Sequence, residues 1–214
     1  MGIKIRNGEK ILFIGDSITD CGRRSAARPL GDGYVRLFSD LAVIREPSKR
    51  ITVVNKGVSG NRITDLKDRW ADDVLRQQPD WLSVKIGIND VMSVLRGLPD
   101  AVTPELFLKT YDLVLAWTRA AAPTCRILLI DPFYISEDTN PNSLRGQVLD
   151  LLPKYISAVH KMSTKYRTRR IETHAMFQRL IRDHEPDMFC PEPVHPNLTG
   201  HLAIAEAVYD ALSK

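Results

Sequence analysis

The stretch Ile11-Leu12-Phe13-Ile14-Gly15-Asp16-Ser17 joins a short apolar run to a glycine and two polar residues. A run of four apolar residues that ends at glycine is typical of a strand buried on both faces of a sheet. Similar runs recur at residues 51–54, 81–86 and 127–130, and amphipathic segments with helical spacing lie between them. This alternation predicts a parallel sheet covered by helices on both faces, which is the α/β class.

Helices are predicted where apolar side chains recur every three or four residues. Thr103-Pro104-Glu105 adds a helix start, because it combines a capping hydroxyl, a first-turn proline and an acidic residue. The predicted helices cover residues 34–41, 66–75, 103–121, 143–166 and 198–212, with a short strand near Ile171 and one more helix after it. Because the sequence shows neither repeats nor a linker, it predicts one three-layer α/β/α domain over residues 1–214 with five parallel strands.

The composition is that of an ordinary globular protein and excludes several functional classes. The chain has 214 residues, 43% apolar and 26% charged, and no apolar run approaches the roughly 18 residues of a membrane span. The net charge of +4 comes from scattered basic residues, so no nucleic-acid groove is expected. The charged N-terminal segment and three cysteines without CxxC spacing, Cys21, Cys125 and Cys190, indicate a cytoplasmic protein without a disulfide framework.

Residues suited to chemistry follow the first three predicted strands and recur near the C-terminus. Ser17 follows the first strand, Gly60 lies in the turn after the second, and Asn89 follows the third. In parallel α/β sheets ligands bind beyond the carboxyl ends of the strands, which is where these three residues are expected. Near the C-terminus, His195 follows Glu192 by three residues in a proline-rich loop.

Together these residues supply the parts of a serine hydrolase. Ser17 is the candidate nucleophile, His195 the general base and Glu192 the acid that orients the imidazole. The backbone N–H groups of Ser17 and Gly60 and the side-chain amide of Asn89 are candidate donors to an oxyanion. Each position also has a structural interpretation, which is a helix cap for Ser17 and Asn89 and an ordinary turn for Gly60.

Three further residues need separate interpretations. Ser59 is a rival nucleophile in the second turn, His201 is assigned a structural role in the last helix, and Lys85 has no evident role in a strand predicted to be buried. Neither a metal nor a cofactor is predicted. The histidines and aspartates lack the spacing of a zinc site, and the turn after the first strand lacks the residues of a phosphate-binding loop, which also disfavours an FMN-binding protein.

The chain also resembles a known family. Gly15-Asp16-Ser17-Ile18, Gly57-Val58-Ser59-Gly60-Asn61, Gly87-Ile88-Asn89-Asp90 and Val194-His195-Pro196 resemble, in this order, the sequence blocks of the SGNH (GDSL-type) esterases and lipases. The resemblance spans essentially the whole chain and implies a flavodoxin-like sheet with strand order 2-1-3-4-5. It also implies hydrolysis of carboxylic esters through an acyl-serine.

A narrower resemblance concerns the substrate. Residues 60–70, 132–134 and 195–201 resemble the cytoplasmic acetyl-xylan-esterase branch of this family. That resemblance implies a short acyl group, acetyl above all, on a carbohydrate such as a xylo-oligosaccharide. The expected partner is therefore a small-molecule ester, with neither nucleic acid nor a membrane involved.

The sequence departs from the family at one position of the predicted site. The family has aspartate three residues before the histidine, whereas this chain has Glu192, which is longer by one methylene. Two alternatives therefore remain: a lysophospholipase or thioesterase with a longer acyl pocket, and a catalytically impaired sugar-binding domain. The sequence also leaves open a homo-oligomer and the role of residues 136–146, as a mobile loop over the site or a plain connection.

Overall fold

The computed structural model describes residues 2–214. Within this range the chain forms one five-stranded sheet and eight α-helices, and two short 3-10 turns lie at Leu75–Gln77 and Pro186–Met188. In chain order the elements are β1 (Lys10–Gly15), α1 (Ser17–Asp20), α2 (Tyr34–Arg45), β2 (Thr52–Asn55), α3 (Ile63–Asp73), β3 (Trp81–Lys85), α4 (Ile88–Leu95), α5 (Pro104–Ala121), β4 (Arg126–Ile130), α6 (Leu144–Tyr166), β5 (Arg169–Ile171), α7 (Thr173–Leu180) and α8 (Leu198–Ser213).

The sheet has the strand order β2-β1-β3-β4-β5, and every neighbouring pair is parallel. The predicted α/β class, the five strands and the order 2-1-3-4-5 are therefore confirmed. The register pairs Ile11 with Trp81 and Gly15 with Lys85, so β1 and β3 end level with each other. The chain passes from β1 to its neighbour β2 and later crosses to β3 on the other side of β1, which makes the carboxyl end of β1 a topological switch point.

Two groups of helices cover the sheet. On one side α2 packs against α8, and Phe13 of β1 packs against Tyr34 and Phe38 of α2. In the second group α5 packs against α3 and α6, and α6 packs against α4. Nearly every residue of β1 and β3 is buried, as expected when both faces of a parallel sheet are covered.

Several helix boundaries differ from the sequence-based prediction by a few residues. The predicted helix at residues 66–75 begins earlier, at Ile63, and its last turn is a 3-10 turn at Leu75–Gln77. The third strand ends at Lys85, one residue before the predicted end. The predicted start at Thr103 is confirmed, because its side chain accepts a hydrogen bond from the backbone N–H of Leu106.

The helix-cap interpretations of Ser17 and Asn89 are wrong. Asp16 caps α1, and its side chain accepts a hydrogen bond from the N–H of Ile18 at 3.0 Å. Gly87 occupies the cap position of α4 with a φ of +134°, a conformation that favours glycine. Ser17 and Asn89 instead lie within the first turns of their helices, so neither side chain is needed as the helix cap.

No helix in the described part of the chain is both long and apolar enough to cross a membrane.

Candidate active site

The short helix α1 presents Ser17 at the carboxyl end of β1, an interior strand of the sheet. Helix α1 contains only four residues, and Ser17 is the first of them, directly after the cap residue Asp16. At this position the backbone N–H groups of a helix have no intrahelical partner and remain free to face a ligand. The side chain of Ser17 is half-buried and therefore accessible from the edge of the sheet.

The loop before α8 brings His195 to this serine although 178 residues separate them in the chain. Ser17 Oγ lies 2.9 Å from His195 Nε2. The other ring nitrogen, Nδ1, contacts Glu192 Oε1. The three side chains thus form a continuous serine–histidine–glutamate array, and the structure brings together the predicted nucleophile, base and acid.

The longer side chain of Glu192 fits this loop by folding back on it. Glu192 Oε1 accepts a hydrogen bond from the backbone N–H of His195 at 2.9 Å, and Oε2 accepts one from the N–H of Val194 at 3.2 Å. These two bonds hold the carboxylate beside the imidazole rather than beyond it. The extra methylene relative to aspartate therefore does not separate Glu192 from His195.

The two remaining predicted residues lie on loops that contact each other. Gly60 has a φ of +83°, a left-handed conformation that favours glycine, and it is exposed at the surface. Asn89 Nδ2 donates a hydrogen bond to the backbone carbonyl of Asn61 at 3.1 Å. The Asn89 amide therefore lies beside the loop that carries Gly60, and the loop in turn contacts α1 through Ser59 and Asp20.

The structure also gives a role to Lys85. Its side chain is fully buried, its Nζ lies 3.3 Å from Asp16 Oδ2, and it stacks over the ring of Phe133 at 4.8 Å. Burial lowers the pKa of the Lys85 ammonium, and the carboxylate of Asp16 opposes that shift. Because Asp16 caps α1, the ion pair with Lys85 fixes the turn that presents Ser17.

His201 has the structural role that the sequence suggested. Its Nδ1 accepts a hydrogen bond from the backbone N–H of Tyr34 at 3.2 Å, and its Nε2 lies 3.2 Å from Cys21 Sγ. Burial lowers the pKa of His201 to about 4, so the ring is neutral at physiological pH. His201 therefore joins the starts of α2 and α8 and is not a partner of Ser17.

Arg69 and Asp90 support the same edge of the sheet, and the sequence-based interpretation assigned neither a role. The guanidinium of Arg69 donates to Asn61 Oδ1 at 2.8 Å, to the carbonyl of Lys56 at 2.7 Å and to the carbonyl of Gly15 at 3.3 Å. Asp90 accepts a hydrogen bond from the N–H of Ile63 at 2.9 Å, and burial raises its pKa to about 7. Neither partner set can be read from sequence spacing, because the contacts join residues of different helices, strands and loops.

A cavity of about 240 Å³ adjoins the array on the side of Glu192. Half of its lining residues are charged: Glu137, Asp138, Arg145, Glu185, Asp187 and Glu192. Residues of the segment 136–146 contribute to its wall, so that segment lies next to the candidate site. Among residues 2–214 no cluster of histidine, cysteine and acidic residues has the arrangement of a metal site.

Comparison with known proteins identifies the family. The model of the GDSL-like lipase/acylhydrolase family matches residues 13–203, which is most of the chain. The chain belongs to this family. The predicted resemblance is thus confirmed, and with it the reaction class, the hydrolysis of carboxylic esters.

Individual relatives of this chain match it over nearly its whole length. The chain is 38% identical to an acetylxylan esterase of Geobacillus stearothermophilus, over 96% of this chain and 94% of the relative. The crystal structure of an acetylxylan esterase of that organism superposes with a TM-score of 0.87 at 35% identity, covering 99% of this chain and 97% of the other. An alpha/beta hydrolase from the metagenome of Lake Arreo superposes with a TM-score of 0.88 at 30% identity, covering 99% and 98%.

Variants of the Geobacillus enzyme indicate which side chains matter in that protein. Structures are known for catalytic mutants in which a serine, an aspartate or a histidine is replaced by alanine. The aspartate lies three positions before the histidine in that enzyme. The serine, aspartate and histidine replaced in that enzyme have the same side-chain types as the array of Ser17, Glu192 and His195, except that this chain has glutamate where that enzyme has aspartate.

Proposed function

We propose that this chain is a serine esterase that removes acetyl groups from carbohydrates, with xylo-oligosaccharides as the first substrates to test. The observation that carries the proposal is the 2.9 Å contact of Ser17 Oγ with His195 Nε2, while Glu192 holds the opposite ring nitrogen. The acetylxylan esterase activity named for the Geobacillus relatives supports the choice of acyl group and alcohol.

In the proposed mechanism Ser17 Oγ attacks the ester carbonyl while His195 Nε2 accepts its proton. Glu192 keeps the proton of the imidazole on Nδ1 and stabilises the imidazolium that forms. His195 then donates this proton to the oxygen of the leaving sugar, which departs as an alcohol and leaves an acetyl group on Ser17. Water attacks this acetyl group while His195 accepts its proton, and His195 returns that proton to Ser17 Oγ as acetate leaves.

The negative charge that develops on the carbonyl oxygen needs hydrogen-bond donors. The N–H groups of Ser17 and Gly60 and the amide of Asn89 are the proposed donors. Ser17 N–H is available because it lies in the first turn of α1, and Asn89 retains a second amide hydrogen after its bond to Asn61. Donors fixed on rigid backbone stabilise the transition state without reorganising during the reaction.

The shape of the site favours a short acyl group on a bulky alcohol. The side chains of His195 and Glu192 are 57% and 50% exposed, so a sugar chain can approach them from solvent. The exposed surface of the adjoining cavity is mainly polar, since five carboxylates and one arginine line it beside Ile135, Cys190 and three prolines. A long acyl chain would find little apolar surface there, which disfavours the lysophospholipase alternative.

The first prediction concerns acyl chain length. An apolar acyl pocket would gain about 0.8 kcal/mol for each methylene that it buries, so a lipase should favour octanoate. For this chain we expect kcat/KM on p-nitrophenyl esters to fall steadily from acetate through butyrate to octanoate. The assay is steady-state kinetics at matched ester concentrations. Rates that rise with chain length would instead favour the longer acyl pocket.

The second prediction concerns Asn89. Replacing one donor to an oxyanion costs about 10²–10³ in kcat, and we expect Asn89→Ala to lose activity in this range. The matched control is Asn7→Ala, since Asn7 accepts a surface hydrogen bond from the N–H of Arg50 at the opposite end of the sheet. Thermal unfolding of both variants separates lost chemistry from lost folding. A loss below threefold in folded Asn89→Ala would remove this residue from the proposed donors.

We further propose that the chain works as one domain in the cytoplasm, without nucleic acid as a partner. The support for the location is that Cys21, Cys125 and Cys190 are all free thiols, which suits a reducing compartment. Fractionation of cells tests the location, and a gel-shift assay with DNA and RNA tests the expected lack of nucleic-acid binding, both independently of the enzyme assays.

A further inference from the structure

Helix α1 carries an acidic side chain that the proposed mechanism does not use. Asp20 lies three residues after Ser17 on the same turn, and its side chain is 5% exposed. Asp20 Oδ2 accepts two hydrogen bonds from Ser59, one from the backbone N–H at 2.9 Å and one from the hydroxyl at 3.0 Å. The rival nucleophile of the sequence analysis is therefore paired with a carboxylate, not with a histidine.

This contact is part of a close fit between α1 and the loop after β2. Asn55 Nδ2 donates to the carbonyl of Thr19 at 2.6 Å, while Asn55 Oδ1 accepts from the N–H of Gly57 at 2.8 Å. A Cβ atom at Gly57 would lie 2.3 Å from the backbone nitrogen of Asp20, so only glycine permits this approach. Helix and loop are thus in direct backbone contact.

The residue after Ser59 is Gly60, whose N–H is a proposed oxyanion donor. The amide N–H of Gly60 belongs to the rigid peptide plane that begins at the Ser59 carbonyl, so the position of Ser59 sets its direction. Gly60 itself has little support, because a Cβ atom there would meet no heavy atom within 4 Å. The position of Gly60 therefore depends on its two chain neighbours. Asp20 fixes Ser59 on one side, and Asn89 fixes Asn61 on the other.

We propose that Asp20 is a positioning residue that aims the Gly60 N–H at the oxyanion. The inference rests on the proposed function, since it presupposes an oxyanion on an acyl-serine. Helix α1 carries the nucleophile Ser17 at its first residue and, at its last residue, Asp20, which binds the loop of Ser59 and Gly60. The two side chains therefore move together as parts of one rigid turn. Ser17 and the Gly60 peptide keep their mutual geometry for this reason.

The effect comes from the acceptor oxygen of Asp20 and not from its negative charge. A carboxylate near a developing oxyanion is electrostatically unfavourable, so the charge by itself offers no advantage in catalysis. An asparagine at position 20 keeps an oxygen that can accept from Ser59, whereas an alanine keeps none. The two substitutions therefore separate hydrogen bonding from charge.

The test compares Asp20→Ala, Asp20→Asn and the control Asp40→Ala, which alters an exposed carboxylate of α2 that pairs with Arg36. Each variant is assayed for kcat and KM on p-nitrophenyl acetate and for inhibition by phenylboronic acid, which forms a tetrahedral adduct with a catalytic serine. We expect Asp20→Ala to lower kcat by about 10–100-fold, which does not exceed the loss expected when a whole oxyanion donor is removed. Its KM should stay within threefold of the wild-type value. The boronic acid Ki should rise with the loss of kcat/KM, since it reports transition-state binding.

Asp20→Asn should recover kcat to within threefold of the wild type. A general structural defect would lower the fraction of active protein and leave KM and the boronic acid Ki of the remaining folded molecules unchanged, so the Ki identifies the positioning effect. If kcat in Asp20→Ala stays within threefold, or if Asp20→Asn is as impaired as Asp20→Ala, the proposal is overturned. A wild-type protein without ester hydrolysis would instead contradict the proposed function itself.

Discussion

Replacing Ser17 by alanine is expected to lower kcat on p-nitrophenyl acetate by about 10⁶, the size of the loss found when a serine nucleophile is removed. The reason is that the histidine then has no hydroxyl to activate at 2.9 Å from Nε2. Ser25→Ala, in the exposed loop after α1, is the matched control and should retain full activity. Initial rates over a wide range of enzyme concentration measure a loss of this size.

A covalent probe locates the nucleophile independently of the kinetics. A fluorophosphonate should add one label to the wild-type protein, and peptide mapping should place the label on Ser17. The label should be absent from Ser17→Ala. Labelling of Ser59 instead would contradict the assignment, although the pairing of Ser59 with the Asp20 carboxylate leaves its hydroxyl without a base of histidine type.

Replacing Glu192 by glutamine is expected to give the second largest effect, a fall of about 10³–10⁴ in kcat. Glutamine keeps the size of the side chain but removes the charge that stabilises the imidazolium, and its amide can hold the ring in the wrong tautomer. Glu192→Asp should retain kcat within about tenfold, or 1.4 kcal/mol in activation free energy, because the charge is kept. Glu105→Gln, on the exposed start of α5, serves as the control.

The comparison of the two Glu192 variants also tests the impaired-domain alternative. In the structure the glutamate already reaches Nδ1, since the N–H groups of Val194 and His195 hold its carboxylate. An increase of more than tenfold in Glu192→Asp would mean that glutamate impairs this chain. Unchanged kcat in Glu192→Gln would mean that another group orients the imidazole, and Asp187 of the adjoining cavity would be the next to test.

Much of the fold follows from short-range patterns in the sequence. Buried strands such as residues 127–130 are continuous apolar runs, and helix starts such as Thr103 combine local signals, so both are visible within a few residues. The candidate side chains are visible for a different reason. Parallel strands all end at one edge of the sheet, so residues that follow the strands, such as Ser17 and Asn89, are brought together by topology alone.

The supporting contacts are not visible in this way, because each depends on which loops meet in space. Lys85 and Asp16 are 69 residues apart, and sequence periodicity reports that Lys85 is buried but not what it pairs with. Asp20 and Ser59 pose the same difficulty at a separation of 39 residues. The contacts of Glu192 are with residues close in the chain, but they depend on side-chain torsions that the loop backbone selects. Residue type alone therefore could not predict whether its carboxylate reaches His195.

The strand order has a further consequence for how this activity is lost. Ser17, Gly60 and Asn89 follow β1, β2 and β3, which are adjacent strands in the sheet. Neighbouring strands lie about 4.8 Å apart. The hydrogen bonding between strands therefore sets the distances between the three residues. No single loop contains enough of the site to function while the sheet is open. We therefore expect catalytic activity to be lost in the same transition in which the sheet unfolds. It should not fall gradually as separate loops become disordered.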